Sequence, residues 1–353
     1  MGGHCVFSDH LEKLPFITII IPVFNEEKYI GNTLDQLEKQ IYPQHLMEIF
    51  LIDGGSTDKT IHVITKWCEN SALAIKIISN SNRVSSTARN MGINAAQGEY
   101  ILFIDAHVFI PSNNLIRNMA NSARTKNAMI LGRAQPLTPP ALNDFQTIVA
   151  GVRSSRLGHS TKSYIYSDHE GWVSPVSIGV MYHYSIFENC ERFDEFFDAA
   201  EDVEFNYRLE CKGYKAYLSP DFKISYYPRR SLSGLFKQMF RYGLGRARFT
   251  NKHFKGFQRE LIMPVLVLLG LLIVSGLAFN KTTFPAFVFF SVIGYFFLLI
   301  SFFGVFFKIR HLLLSPFFLV LVHLGLACGL LAGLIEGVSI RVVGKKGAFY
   351  ERN

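Results

Sequence analysis

Three runs in the last third of the chain contain no Asp, Glu, Lys or Arg: "LIMPVLVLLGLLIVSGLAF" (261–279), "FPAFVFFSVIGYFFLLISFFGVFF" (284–307) and "LLLSPFFLVLVHLGLACGLLAGLI" (312–335). Each is 19 to 24 residues long, and a helix rising about 1.5 Å per residue crosses a hydrocarbon layer of roughly 30 Å with that many. They therefore read as three membrane spans, against the alternative of three buried helices in a soluble protein. His323 is almost their only ionisable group, so no path for an ion or a polar substrate through the membrane is visible.

Before residue 260 the pattern is that of an α/β protein. "FITIIIPVF", "MEIFLID", "AIKIIS" and "YILFID" are short, β-branched apolar runs. They alternate with stretches of helical periodicity such as "KYIGNTLDQLEKQ". Such alternation predicts a mostly parallel sheet with helices on both faces. Ligands of these sheets bind outside the carboxyl ends of the strands, where this chain places Asn25 and Glu26, Asp53, and Asp105. One carboxylate there could be a solvated loop residue; three at equivalent places point to a site.

The first strand is not followed by GxGxxG, and no GxxxxGK[ST] loop occurs. An acidic edge binds an anionic nucleotide only if a cation bridges the charge. On an extended segment, residues two apart share a side, so Asp105 and His107 can address one ion. Imidazole favours Mn²⁺ over Mg²⁺. A histidine packed at the strand end without metal is the competing reading.

The net charge of +8 is concentrated between Lys223 and Arg259, where ten basic residues occur with no acidic one. That block adjoins the first apolar run, as a cytoplasmic flank facing anionic lipid headgroups should. No zinc-finger, RRM or KH pattern supports a nucleic-acid partner. The five cysteines are dispersed, without CxxC spacing, which argues against a disulfide framework or a zinc site. "MGGHCVFSDHLEKLP" has no signal-peptide pattern, so the first domain is expected in the cytoplasm.

"PVFNEEKYI", "LIDGGSTDKT", "ARNMGINAAQGEYILFIDAH", "AEDVEFNYRLECKGYKAYLSPD" and "QMFRYG" occur in the order found in glycosyltransferase family 2, the inverting nucleotide-sugar transferases of GT-A fold. The chain resembles that family over residues 16–250. "IDAHV" with "FKQMFRYGLGRAR" is most similar to the membrane-bound glucosyltransferases of succinoglycan-type exopolysaccharide assembly. The resemblance implies a UDP-sugar donor, with glucose as the sugar, and a lipid-linked saccharide acceptor. It places Pro22, Asn25, Glu26 and Asp53 near the nucleoside and Arg89 near the nucleotide. Asp105 becomes the first residue of the DxD metal motif, whose last carboxylate is replaced here by His107. Asp202 becomes the general base, with Glu201 beside it in the acceptor region. An acidic helix N-terminus would account for that pair without catalysis.

Gln238, Arg241 and Tyr242 correspond to the family's QxxRW signature with Tyr for Trp. Gln238 and Arg241 share a helix face, where Arg241 could hold a diphosphate and Tyr242 could stack on a sugar. The same stretch also suits an interfacial helix. Residues 133–146 and 154–171 look like acceptor loops.

These readings divide the chain into a lead (1–15), a GT-A catalytic domain (16–229), amphipathic interfacial helices (230–260), a membrane part (261–337) and a basic tail (338–353). Gly325, Gly329, Gly333 and Gly337 give one smooth helix face, expected to meet its own bundle or a second subunit. Three spans from a cytoplasmic domain in a multi-pass cell-membrane protein leave the tail outside. Arg341, Lys345, Lys346 and Arg352 in it favour inside. Direct transfer to a polyprenyl phosphate, a processive polysaccharide synthase, and a non-catalytic membrane scaffold or transporter are the alternative functions.

Overall fold

The computed structural model describes residues 14–160, 163–176, 178–256, 262–278, 282–306 and 308–342. Most of the lead, Cys5, and the tail from 343, with Lys345, Lys346 and Arg352, lie outside the described residues.

The first half of the sheet follows the expected alternation. Strand β1 (Ile17–Val23), helix α1 (Ile30–Glu38), β2 (Met47–Asp53), α2 (Thr60–Cys68), β3 (Ile75–Ser79), α3 (Ser85–Ala95) and β4 (Tyr100–Phe103) succeed one another. The four strands are parallel, in the order β3, β2, β1, β4. Because side chains alternate along a strand, β1 feeds two cores. Ile17, Ile19 and Ile21 join Leu34 of α1 and Ile64 of α2, while Ile20 joins Ala88 and Ile93 of α3 on the opposite face.

The second half is less regular. β5 (Val108–Phe109), α4 (Leu115–Thr125), β6 (Ile130–Gly132), α5 (Asp144–Ser154), β7 (Gly171–Val173), β8 (Gly179–His183), α6 (Ser185–Asn189), α7 (Glu201–Cys211), β9 (Ala216–Leu218) and β10 (Ser225–Tyr226) complete the domain. β8 enters the sheet between β4 and β6, antiparallel to both. The sheet is therefore mixed, with β1 to β4 as its parallel half. β10 pairs antiparallel with β5 in a separate ribbon, setting Tyr226 opposite Val108. His183 bonds Ser185 Oγ through Nδ1 at 2.8 Å, a local role within the β8–α6 corner.

Helix α8 (Leu232–Lys252) carries five of the ten residues of the basic block, and α9 (Ile262–Ala278), α10 (Phe284–Phe302) and α11 (Ile309–Val342) follow. α10 and the 309–337 part of α11 are long and apolar enough to cross a membrane. The second apolar run ends as a helix at Phe302, five residues short of expectation, where Gly304 turns the chain at φ +87°.

The third run also packs against the rest of the chain. α11 is half buried, packed along α8 and α5. Its His311 meets Asp144 at 3.0 Å and its Glu336 takes a paired ion contact from Arg248 at 3.0 Å. The glycine face expected to meet other spans or a second subunit is occupied by α8. A Cβ at Gly325 would come within 2.7 Å of Met239 Cβ, one at Gly333 within 2.6 Å of Ala247 Cβ, and one at Gly329 would strike the Phe240 carbonyl. That face is spent within the chain, which corrects the expectation of a homo-oligomer formed through it.

Candidate functional site

The parallel register brings the predicted edge together. Asp53 lies beside Val23, and Phe103 beside Ile20, so the segments carrying Asn25 and Glu26, Asp53 and Asp105 leave adjacent strands at one level. Asp53 accepts bonds from the Gly55 amide (3.0 Å) and the Ser56 hydroxyl (2.6 Å). Asn25, at φ +56°, a conformation that asparagine tolerates better than most residues, accepts from the Thr57 amide at 2.8 Å. The Glu26 amide donates to Thr60 Oγ1 at 2.7 Å. Two loops are thus stitched into one rim, with half-buried Pro22 beneath it.

β4 stops at Phe103, so residues 104–107 are not the extended segment that the spacing argument assumed. Asp105 is nevertheless turned inward, accepting from Gln135 Nε2 at 3.1 Å. Burial alone would raise its pKa, but Arg89, His107 and Arg133 around it overcome this and hold it below the usual carboxylate range. The His107 ring lies between two elements. Its Nε2 meets the Tyr226 hydroxyl at 2.5 Å. Its Nδ1 is 2.8 Å from Glu26 Oε1 yet is shielded from solvent without an aligned hydrogen bond. An ionised buried carboxylate and an imidazole nitrogen without a directed partner suit a divalent cation. Among the described residues no group of three or more His, Cys, Asp or Glu does so by itself. Such an ion would need further oxygen donors from a ligand, as ions bound with phosphates do.

Opposite lies α7. Its N-cap, Ala200, sits in the left-handed region at φ +63°, a strained setting for a residue with a Cβ. The turn is backed by α8, where only a glycine at 245 clears the Ala199 carbonyl. Glu201 is buried, accepting from Ser85 Oγ at 2.8 Å and pairing with Arg89 Nε at 3.4 Å. Burial pushes its pKa up, with the Asp202 charge adding to that. Asp202 is more open and accepts from the Val203 amide at 2.8 Å through one oxygen. Arg89 feels Glu201, Asp105 and Asp202 together. It lies over the Phe103 ring at the end of β4 and pairs with Glu201 of α7.

The predicted α8 motif splits. Gln238 is buried, and its Nε2 lies 3.4 Å from the Tyr226 hydroxyl and 3.3 Å from that of Tyr242. It thereby connects α8 to His107. Arg241 turns instead to the Asp198 carbonyl at 2.6 Å, bracing the turn before Asp202. Tyr242 is 39% exposed, which leaves a ring face for a ligand.

Sequence reasoning missed Gln135, Arg133, Tyr226 and Arg153. Gln135 and Arg133 surround Asp105, the latter so enclosed that burial lowers its pKa to about 10. None belongs to a motif. The one available signal was the basic or amide residue within an otherwise apolar stretch, as in "MILGRAQP".

A model of the family described as glycosyl transferase family 2 matches residues 18–159. The dolichyl N-acetyl-α-D-glucosaminyl phosphate 3-β-D-2,3-diacetamido-2,3-dideoxy-β-D-glucuronosyltransferase of Methanococcus voltae is 31% identical, over 92% of this chain and 98% of its own. The succinoglycan biosynthesis protein ExoA of Rhizobium meliloti is 28% identical over 70% and 73%. Among solved structures, the mannosyltransferase PcManGT of Pyrobaculum calidifontis, in complex with GDP-Man and Mn²⁺, superposes with a TM-score of 0.59 at 16% identity. It covers 89% of this chain and 88% of that one, a likeness of fold.

Proposed function

Because this chain belongs to glycosyltransferase family 2, we propose that it moves a sugar from a nucleotide sugar to a lipid-linked saccharide, with inversion at the anomeric carbon. The observation that carries this reading is Arg89, which lies over the Phe103 ring at the end of β4 at 4.9 Å and pairs with Glu201 of α7 at 3.4 Å. One buried cation thus lies between the end of β4 and the first turn of α7. The Methanococcus relative, named for transfer to a dolichyl-linked N-acetylglucosaminyl phosphate, supports the acceptor class.

Asn25, Glu26, Asp53 and Pro22 line the nucleoside side. Asp202 accepts the proton of the acceptor hydroxyl as that oxygen bonds the anomeric carbon. The bond from that carbon to the diphosphate breaks, and its electron pair leaves with the nucleotide. Arg89 fixes Glu201, and Arg241 braces the turn before Asp202, so both position the base. Asp105 and His107 would hold a divalent cation, Mn²⁺ in preference to Mg²⁺. When bound, it supplies neutralisation of the charge developing on the diphosphate. UDP-glucose is the first donor to test, since the Rhizobium relative is named for succinoglycan biosynthesis.

The catalytic domain sits on the cytoplasmic side of the cell membrane, anchored by the apolar helices. Two crossings, by α10 and α11, the described helices long and apolar enough for it, would return the chain to the catalytic side. That arrangement agrees with the basic residues of the tail and removes the conflict that three full spans create.

The test is transfer from labelled UDP-glucose, UDP-galactose, UDP-N-acetylglucosamine and GDP-mannose into extracted lipid by membranes carrying the chain. Mn²⁺, Mg²⁺ or EDTA is present, with Asp202→Asn membranes alongside. Label entering saccharide-lipid only in the unsubstituted sample is expected. Label on polyprenyl phosphate alone would replace the acceptor, and no label with acceptor supplied would overturn the reading.

A further inference from the structure

Arg153, in the last turn of α5, is largely enclosed and surrounded by hydroxyls rather than carboxylates. Its Nη1 lies 3.5 Å from Gln238 Oε1, and its guanidinium carbon 5.8 Å from the Tyr242 ring centroid. Tyr166, Tyr242 and Tyr226 are the groups whose influence it feels most. Burial by itself would lower its pKa, and those hydroxyls more than compensate. Among the described residues, no Asp or Glu pairs with it. A largely enclosed cation without a counter-ion is costly, and an incoming anion would supply one.

An independent observation lies next to it. His159 Nε2 is shielded from solvent and has no hydrogen-bond partner. The ring packs 4.7 Å from that of Tyr166. Burial first, and then the charges of Arg153 and Arg246, hold this histidine at a pKa of about 4, so the imidazole stays neutral in a positive field. The cluster has the donors and the charge for an anion.

Its position indicates which anion. On one side, Gln238 and Tyr226 link it to His107 and the strand edge. On the other, it lies at the seam with the apolar helices. Leu157 accepts from His323 of α11 at 2.9 Å, and Val149 and Val152 of α5 share a core with Phe302 and Phe318. An amphiphile can place its hydrocarbon along those helices and its head group at Arg153, facing the sugar site.

We propose that Arg153, His159 and the hydroxyls of Tyr166 and Tyr242 bind the phosphate or diphosphate ester of the lipid-linked acceptor, at a site separate from that of the donor's diphosphate. This rests on the acceptor class proposed above. The described loop residues 154–160 and 163–171 then recognise the acceptor by its charged linkage.

The test uses the full chain in phosphatidylcholine nanodiscs, saturated with UDP, titrated with geranyl diphosphate and, as the uncharged control, geraniol. Geranyl diphosphate should bind with UDP in place, and geraniol far more weakly. Arg153→Gln should weaken geranyl diphosphate by about 10- to 100-fold, the range for losing a charged hydrogen bond, and leave UDP affinity within about twofold. Arg153→Lys keeps the charge without the fork and should fall between. It also keeps the test open if the glutamine variant does not fold. Unchanged probe binding by a folded Arg153→Gln chain overturns the site. Competition between probe and UDP, with both weakened alike, overturns its separation from the donor site. A chain that binds the probe through Arg153 yet transfers no sugar upholds the site and overturns the transferase reading instead.

Discussion

His107 Nδ1 lies 2.8 Å from Glu26 Oε1 while its Nε2 meets Tyr226, so one imidazole joins the end of β1 to the β5–β10 ribbon. Replacing it by a carboxylate recreates the family's DxD pattern but sets two carboxylates against each other. Oxygen donors suit Mg²⁺ better than imidazole does. His107→Asp should therefore raise the ratio of Mg²⁺-supported to Mn²⁺-supported transfer while lowering the total rate by about tenfold or more. Initial rates with each ion decide it, and an unchanged ratio would remove His107 from the ligand set.

Asp202 is the more open member of its pair, and Glu201 is occupied by Arg89 and Ser85. Asp202→Asn should lower kcat by about 10²- to 10⁴-fold, the usual worth of a general base, with UDP affinity nearly unchanged. Steady-state rates together with UDP titration test this. A comparable loss of UDP binding would make Asp202 a donor-site residue.

Gly329 has no room for a side chain, because a Cβ there would strike the Phe240 carbonyl of α8, whereas nothing would meet one at Gly270 of α9. Gly329→Ala should destabilise the α8–α11 pair by about 1–3 kcal/mol, and Gly270→Ala should be neutral or slightly stabilising. Melting temperatures of the detergent-solubilised variants compare the two. Equal effects would mean that α11 does not rest on α8.

Glu204 is fully buried against Lys252 at 2.7 Å, His253 at 2.9 Å and Arg208 at 2.9 Å, tying α7 to the end of α8. Burial raises its pKa, but the bonds from His253 and Arg208 and the charge of Lys252 outweigh that and hold it at about 2, against 4.5 for a free carboxyl. The native state thus gives up this proton more readily than the unfolded chain. The resulting stabilisation, roughly 3 kcal/mol, is complete above about pH 4.5 and disappears as pH falls through about 2. Glu204→Gln should lose that amount at pH 7 and flatten the acid limb of the stability curve, as read by melts between pH 2 and 7.

The sequence by itself determined the class of the domain, the polar and acidic ends of its parallel strands, and the acidic first turn of α7. Those follow from local periodicity and from strand ends, both of which are written in consecutive residues. It also identified the apolar helices, because length and lack of charge suffice. Only the tertiary structure decided the partners. Arg89 pairs with Glu201 across more than a hundred residues of chain, Tyr226 reaches His107 through a two-residue ribbon, and Arg153 meets Gln238 between α5 and α8. The fate of the Gly325–Gly337 face was equally undecidable, since a smooth helix face records that something packs closely but not what. Contacts between distant segments depend on how several elements settle together around shared cores, and no single stretch of chain encodes that.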